Sequence, residues 1–242
     1  MFFSASAASI ITPSFSPAIN RAGWFIFSGC SNQDKEITIS AASSLTEVVS
    51  TVVRNYEKVS NVKAKTIFGG SNHLAAQLRD GASVDVFITA DSKLLEGLNF
   101  RKVIKDFTRN SLVVVKPLDF VDQNFEPKDL ELEEKLIAIC SEGVPCGNAT
   151  KSRFGIVNAD TYELNVKAVL ARVSAAEVDL GIVYETDLKN EPKVVAAWPQ
   201  EKTCPCVSYA VASKGKVGDD FVEFLDSKIA KRIFHEHGFP HE

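Results

Sequence analysis

Residues 63–91 read "KAKTIFGGSNHLAAQLRDGASVDVFITAD". The stretch falls into three pieces with a seam between each. Residues 63–68 alternate as a strand does, Leu74 to Leu78 is apolar at helical spacing, and 84–89 is a second short apolar run. Asp80-Gly81 closes the middle piece. The result is a strand–helix–strand unit, with "FGGSNH" where the first strand hands over to the helix.

Working outward, the same alternation continues. Residues 37–41 alternate as a strand, and "SSLTEVVSTVVRNYEKVS" follows with Leu45, Val48, Val49, Val52, Val53 and Tyr56 at helical spacing. Ser44-Leu45-Thr46-Glu47 matches a capping box, with Ser44 as the cap. "VDVFIT" reads as a strand and "DSKLLEGL" as a helix begun by Asp91. Strands alternating with helices mean a mainly parallel sheet flanked by helices, hence an α/β fold. Beyond Asn110, "SLVVVKP" and "KLIAIC" read as strands, 148–154 as a short helix and "ELNVKAVLARVSAAEV" as a longer one. "DLGIVYETD" is a strand and turn, "KVVAAWP" and "CVSYAVAS" are strands, and "DDFVEFLDSKIAKRIFHEHGF" is one terminal amphipathic helix. Two α/β blocks emerge, 34–112 and 113–209.

Composition narrows the function. The chain has 242 residues, 45% hydrophobic and 24% charged, with a formal net charge of -4. That supports a folded core and offers no basic surface for nucleic acid. The first thirty residues contain no acidic residue and a single basic one, Arg21, and the patterned sequence starts near Asp34. This reads as an export signal. "FSGC" ending at Cys30 is similar to a bacterial lipoprotein box, which makes Cys30 the lipidation candidate; the alternative is a chance "SGC" in a ragged N-terminus.

Four further cysteines remain. Cys140 and Cys146 flank a Gly/Pro-containing loop that a disulfide would close. A zinc site is a second reading, against which Cys204-Pro205-Cys206 has the wrong spacing, and four buried thiols are a third. His235, His237 and His241 suggest a metal tail, against a solvated helix end. His73 suits either a cationic ligand or a solvent-facing position. Asp85, Asp91, Asp179 and Asp187 have no nucleophile or histidine nearby. Cap and turn roles account for Asp91 and Asp187, and backbone fixing near the inner edges of the lobes for Asp85 and Asp179. No P-loop, nucleophile elbow or H-E-x-x-H is present.

Three junctions, "ISAASSLTE", "IFGGSNHL" and "CSEGVPCGNA", each end a strand and open a helix with small residues. Small residues admit a ligand close to the backbone, and helix N-termini favour an anion. Taken singly, Ser44 and Ser71 are accounted for by plain N-capping, ahead of a ligand role; three similar junctions in one chain add weight to the ligand role.

"ISAASSLTEVV", "GGSNHLAAQLRDGASVDVFITAD", "NSLVVVKP", "GVPCG", "NVKAVLARV", "VDLGIVYETD" and "HGF" stand in the order and approximate spacing of one family. The chain resembles the extracytoplasmic molybdate-binding proteins of ABC importers over essentially all of 36–240. The resemblance implies a two-lobe periplasmic-binding-protein fold (type II), each lobe a mainly parallel sheet flanked by helices. It places 1–33 as signal, anchor and tether, 34–112 with 210–242 in lobe 1, and 113–209 in lobe 2.

It further implies a tetrahedral dianion, molybdate or tungstate, held by neutral donors alone. These would be the hydroxyls of Ser44, Ser71 and Tyr184 and the backbone N–H groups of Cys146 and Val166. The implied protein is a monomer outside the cell membrane that delivers its anion to an ABC permease. It uses no cofactor, no free metal cation and no nucleic acid, and meets the membrane only through lipid at Cys30. The rival readings are a binding protein for sulfate or phosphate, and a thiol-redox enzyme using Cys204 and Cys206.

Overall fold

Strand β1 (Lys35–Ala42) pairs in parallel with β2 (Val62–Gly69) and with β3 (Val86–Thr89). The computed structural model that shows this describes residues 35–120, 124–198 and 207–240. β4 (Lys102–Asn110) and β10 (Val207–Ser213) complete the first sheet, in the order β2-β1-β3-β10-β4. β10 runs antiparallel to both β3 and β4. The second sheet has the order β7-β6-β8-β5-β9, built from β5 (Leu112–Pro117), β6 (Ile137–Cys140), β7 (Thr161–Glu163), β8 (Leu180–Tyr184) and β9 (Val194–Ala196). In it β6 is parallel to β7 and β8, while β5 is antiparallel to β8 and β9.

The two-lobe α/β fold expected from the sequence is present, but its sheets are mixed rather than mainly parallel. The antiparallel strands enter where the chain changes lobe: β4 leads into β5, and β10 returns to the first sheet. Asn110 Nδ2 donates to Thr186 Oγ1 at 2.8 Å beside that crossover, and Glu185 N donates to Ser111 O at 2.9 Å.

Period-two burial divides the first lobe's core. Ile37, Ile39, Val86, Ile88 and Val211 face α1 (Thr46–Ser60), which offers Val48, Val49, Val52 and Tyr56. Phe87, Ala210 and Ala212 face the other way and pack with Leu74 and Ala75 of α2 (Ser71–Arg79). The second lobe carries α3 (Pro145–Phe154) and α4 (Val166–Ser174) on its sheet.

The single terminal helix expected over 219–239 is two helices, α5 (Gly215–Leu225) and α6 (Lys228–Glu236). Ser227 breaks it by capping α6, its Oγ accepting from Ala230 N at 3.2 Å. Both helices pack on the first lobe: Tyr56 meets Phe221 edge-on at 5.1 Å, and Phe107 meets Phe234 likewise at 5.1 Å.

Three more local readings change. "DSKLLEGL" forms only a 3-10 turn, Ser92–Leu95, under an Asp91 cap (Lys93 N to Asp91 Oδ1, 2.9 Å). β4 and β7 escape the pattern because each is short of apolar alternation; β4 is a charged edge strand. Among the described residues no helix is long and apolar enough to cross a membrane. Cys30, Cys204, Cys206 and His241 lie outside the described residues.

Candidate functional site

The carboxyl ends of β1, β2, β3, β6 and β8 face a single pocket, the position where open α/β sheets take ligands. All five residues singled out in the sequence line it: Ser44 and Ser71 from the first lobe, Cys146, Val166 and Tyr184 from the second. Each is buried. The cavity is small, about 20 Å3, and no charged side chain is in its lining. A drug-sized ligand takes roughly 300–1,000 Å3, so this space suits something smaller.

Neither serine is a helix cap. β1 ends at Ala42, and a 3-10 turn, Ser43–Leu45, comes before α1, so Leu45 takes the N-cap position without a side-chain bond. The capping box read at Ser44 does not form. Ser44 Oγ instead lies 2.8 Å from the hydroxyl of Tyr209 on β10. Tyr209 is braced in turn by Phe239, with ring centroids 6.0 Å apart. Ser71 is the first residue inside α2, and Gly70 holds the N-cap position. Ser71 Oγ accepts from Ala90 N at 3.1 Å, so its own proton remains to be donated.

The second lobe brings helix starts. Pro145 opens α3, its missing N–H costing nothing there, so Cys146 carries the first available backbone donor. Cys146 is disulfide-bonded to Cys140 at the end of β6, which ties that helix start to the sheet. This is the first of the three cysteine readings; the pair neither binds zinc nor remains as thiols. Asn165 caps α4 through its side chain, accepting from Ala168 N at 3.1 Å, and leaves Val166 at the pocket. Tyr184 ends β8, and its backbone N donates to Asp187 Oδ2 at 3.0 Å.

Two glycines permit this packing. A Cβ on Gly70 would lie 2.6 Å from the Leu164 carbonyl oxygen of the other lobe, and one on Gly147 would lie 1.9 Å from Ser141 O. Any side chain at either position would push apart backbones that form the pocket wall.

The chemistry of the arrangement follows from its donors. Residues that begin α2, α3 and α4, and the turn leading into α1, all line the pocket. The first N–H groups of a helix have no intrahelical acceptor. Each helix N-terminus carries roughly +0.5 elementary charge, so the three of α2, α3 and α4 together offset much of the charge of a dianion without an ionised side chain. The pocket can therefore hold a small oxyanion by hydrogen bonds and dipoles.

A family model described as bacterial extracellular solute-binding protein matches residues 37–240. The chain belongs to this family. Among other solute-binding proteins, it is 32% identical over 228 residues to molybdate-binding protein ModA of Escherichia coli, covering 84% of this chain and 88% of that one. It is 27% identical to the putative ABC transporter substrate-binding lipoprotein YvgL of Bacillus subtilis, over 90% of this chain and 95% of that one. The solved substrate-binding domain of a putative molybdenum ABC transporter from Clostridium difficile aligns with a TM-score of 0.58 at 30% identity, covering 86% and 99%. The periplasmic molybdate-binding protein of Azotobacter vinelandii aligns with a TM-score of 0.69 at 18% identity, covering 85% and 99%, which shows the shared fold. These are relatives of the kind the sequence resembles.

The remaining sequence candidates stand apart from the pocket. His73 is exposed and bonds Gln77 one turn on, 3.0 Å away. His235 is exposed on α6, and no group of three or more His, Cys, Asp or Glu among the described residues is placed to hold a metal. Asp85 and Asp179 do fix backbone, accepting from Thr38 N at 2.7 Å and Leu136 N at 2.9 Å. They do so before β3 and β8 begin, at the outer ends of the strands and not at the inner edges expected. Asp187 is more than a turn residue: it is buried, and its Oδ1 lies 2.9 Å from Lys167 Nζ. Sequence reading missed Tyr209 and Lys167, and it took Glu47 only for a capping-box residue. The only signal for Tyr209 was a tyrosine in an apolar strand. The pairing of Glu47 with Lys167, 120 residues apart, gave none.

Proposed function

We propose that this solute-binding protein captures molybdate or tungstate in the pocket between its lobes and delivers it to an ABC permease. One observation carries the reading: five residues from both lobes converge on one small pocket that offers hydroxyls and helix N-termini and no charged side chain. In this reading Ser44, Ser71 and Tyr184 donate hydroxyl hydrogen bonds, and Cys146 and Val166 donate backbone ones. The relatives' names point to the same ligand.

The lining also supports a choice among oxyanions. Near pH 7 phosphate retains a proton that needs an acceptor, and no carboxylate lines the pocket. Fully ionised tetrahedral dianions fit such a donor set better. Lobe 1 is read as 34–112 with 210–242 and lobe 2 as 113–209, save that strand Val207–Ser213 pairs wholly within the first sheet. The protein works outside the cell membrane as a monomer, with Cys30 as its lipid attachment point.

Calorimetry with molybdate, tungstate, sulfate and phosphate in one buffer tests the reading. Molybdate and tungstate are expected to bind one to one, well ahead of phosphate. No heat with either metal oxyanion would overturn it.

A further inference from the structure

Among the bonds between lobes that the described residues make, two flank the pocket. Asn72 Nδ2 at the start of α2 donates to the Gly143 carbonyl in the loop before α3. The other is ionic: Lys167 Nζ on α4 lies 3.0 Å from Glu47 Oε1 on α1. Lys167 follows the pocket residue Val166, and Glu47 stands one helical turn beyond Ser44. The same ammonium lies 2.9 Å from Asp187 Oδ1, and the other oxygen of Asp187 accepts the Tyr184 N–H. One lysine therefore joins the segments that present Ser44, Val166 and Tyr184.

The surroundings keep that lysine charged. Burial works to lower its pKa, but Asp187 and Glu47 outweigh burial and hold it above the ordinary lysine value. The two ion pairs differ in kind. Lys167 and Asp187 belong to the same lobe, so their contact survives any opening of the cleft. Glu47 belongs to the other lobe, so its contact exists only when the lobes are together. An interaction present in one of two states biases the equilibrium toward that state by its own free energy.

We propose that Glu47 and Lys167 form a cross-lobe latch, with Lys167 a positioning residue that holds the cleft closed over its anion without touching it. The proposal rests on the oxyanion reading. It also predicts a sign that simple electrostatics does not. Glu47 is a negative charge one turn from Ser44, so removing it should favour a dianion if only the field mattered. Removing it should weaken retention if the latch matters.

Glu47→Gln is the decisive variant, because it leaves the Lys167–Asp187 pair and the buried charge balance intact. Molybdate binding is followed by stopped flow and calorimetry, and closure by small-angle scattering with and without molybdate. Dissociation is expected to be roughly three- to tenfold faster, with association little changed and the salt dependence of dissociation reduced. Lys167→Arg, which can keep both pairs, should stay close to wild type. Dissociation from Glu47→Gln that is unchanged or slower, in a wild type that binds molybdate, overturns the latch alone. Failure of the wild type to bind molybdate overturns both the latch and the oxyanion reading.

Discussion

Ser71→Ala tests a ligand donor and a structural acceptor that share a single atom. Ser71 Oγ accepts the Ala90 N–H at 3.1 Å inside the protein, which leaves its proton to donate into the pocket. Alanine removes both roles. Losing a hydrogen bond to a charged ligand costs about 1.5–3 kcal/mol, or roughly ten- to 150-fold in Kd. Leaving the buried Ala90 N–H without an acceptor costs about 1–3 kcal/mol of apo stability. For a chain of this size each 1 kcal/mol shifts Tm by about 2–4 °C. Molybdate calorimetry gives the first quantity, and denaturant unfolding of the apo protein gives the second. Both should fall. Affinity within about twofold of wild type, alongside lost stability, would refute the reasoning: Ser71 would then only hold the β3 end in place.

Three other outcomes are expected. Tyr184→Phe should weaken molybdate binding roughly tenfold or more, the scale of one hydrogen bond to an anion, with a smaller loss of apo stability than Ser71→Ala; equal affinity in calorimetry would remove Tyr184 from the ligand set. Replacing Cys140 and Cys146 by serine should cost about 2 kcal/mol in denaturant unfolding, as for a short closed loop, and weaken binding by loosening the start of α3; an affinity indifferent to the bond would show that this turn is held by the Pro145 and Gly147 packing alone. His237 should titrate below its ordinary value of 6.5, because burial chiefly, with Lys189 and Arg54, outweighs the opposing Glu47 and Glu236. A depressed pKa means its contribution to stability is complete above about 6.5 and is lost as pH falls through the folded value; an NMR midpoint at or above 6.5 contradicts this.

The first sheet's parallel half was readable because its units are local. β1 and β2 alternate polar and apolar residues over eight positions, β3 is a short apolar run, and periodicity alone separates such strands from α1 and α2. The antiparallel strands were not readable in the same way. β4 has lysine, aspartate and arginine along an edge, with Asp106 at a positive φ of 55°, so its pairing with β10 replaces an internal pattern with a partner from a hundred residues on. The lengths of helices were likewise set by tertiary context. "ELNVKAVLARVSAAEV" keeps helical spacing throughout, yet Asn165 caps it and β7 takes Glu163, which shortens α4 to Val166–Ser174.

The site was more legible than the reasons for it. Small residues at strand ends singled out Ser44 and Ser71, both of which line the pocket, but sequence alone gives any serine before a helix the role of a cap. The distinction depends on one or two residues of register. A 3-10 turn delays α1 past Ser44, and Gly70 takes the cap position ahead of Ser71, so neither hydroxyl caps its own helix. Each then meets a partner from another strand, Tyr209 on β10 and the N–H that follows β3. Ala90 N–H, as a donor, occupies a lone pair of Ser71 and orients the hydroxyl proton outward. Tyr209, when its phenol donates, does the same for Ser44. A serine held from behind by a donor, as Ser71 is, remains a donor in front, and facing three helix starts it belongs to a pocket that attracts negative charge while carrying no charged side chain.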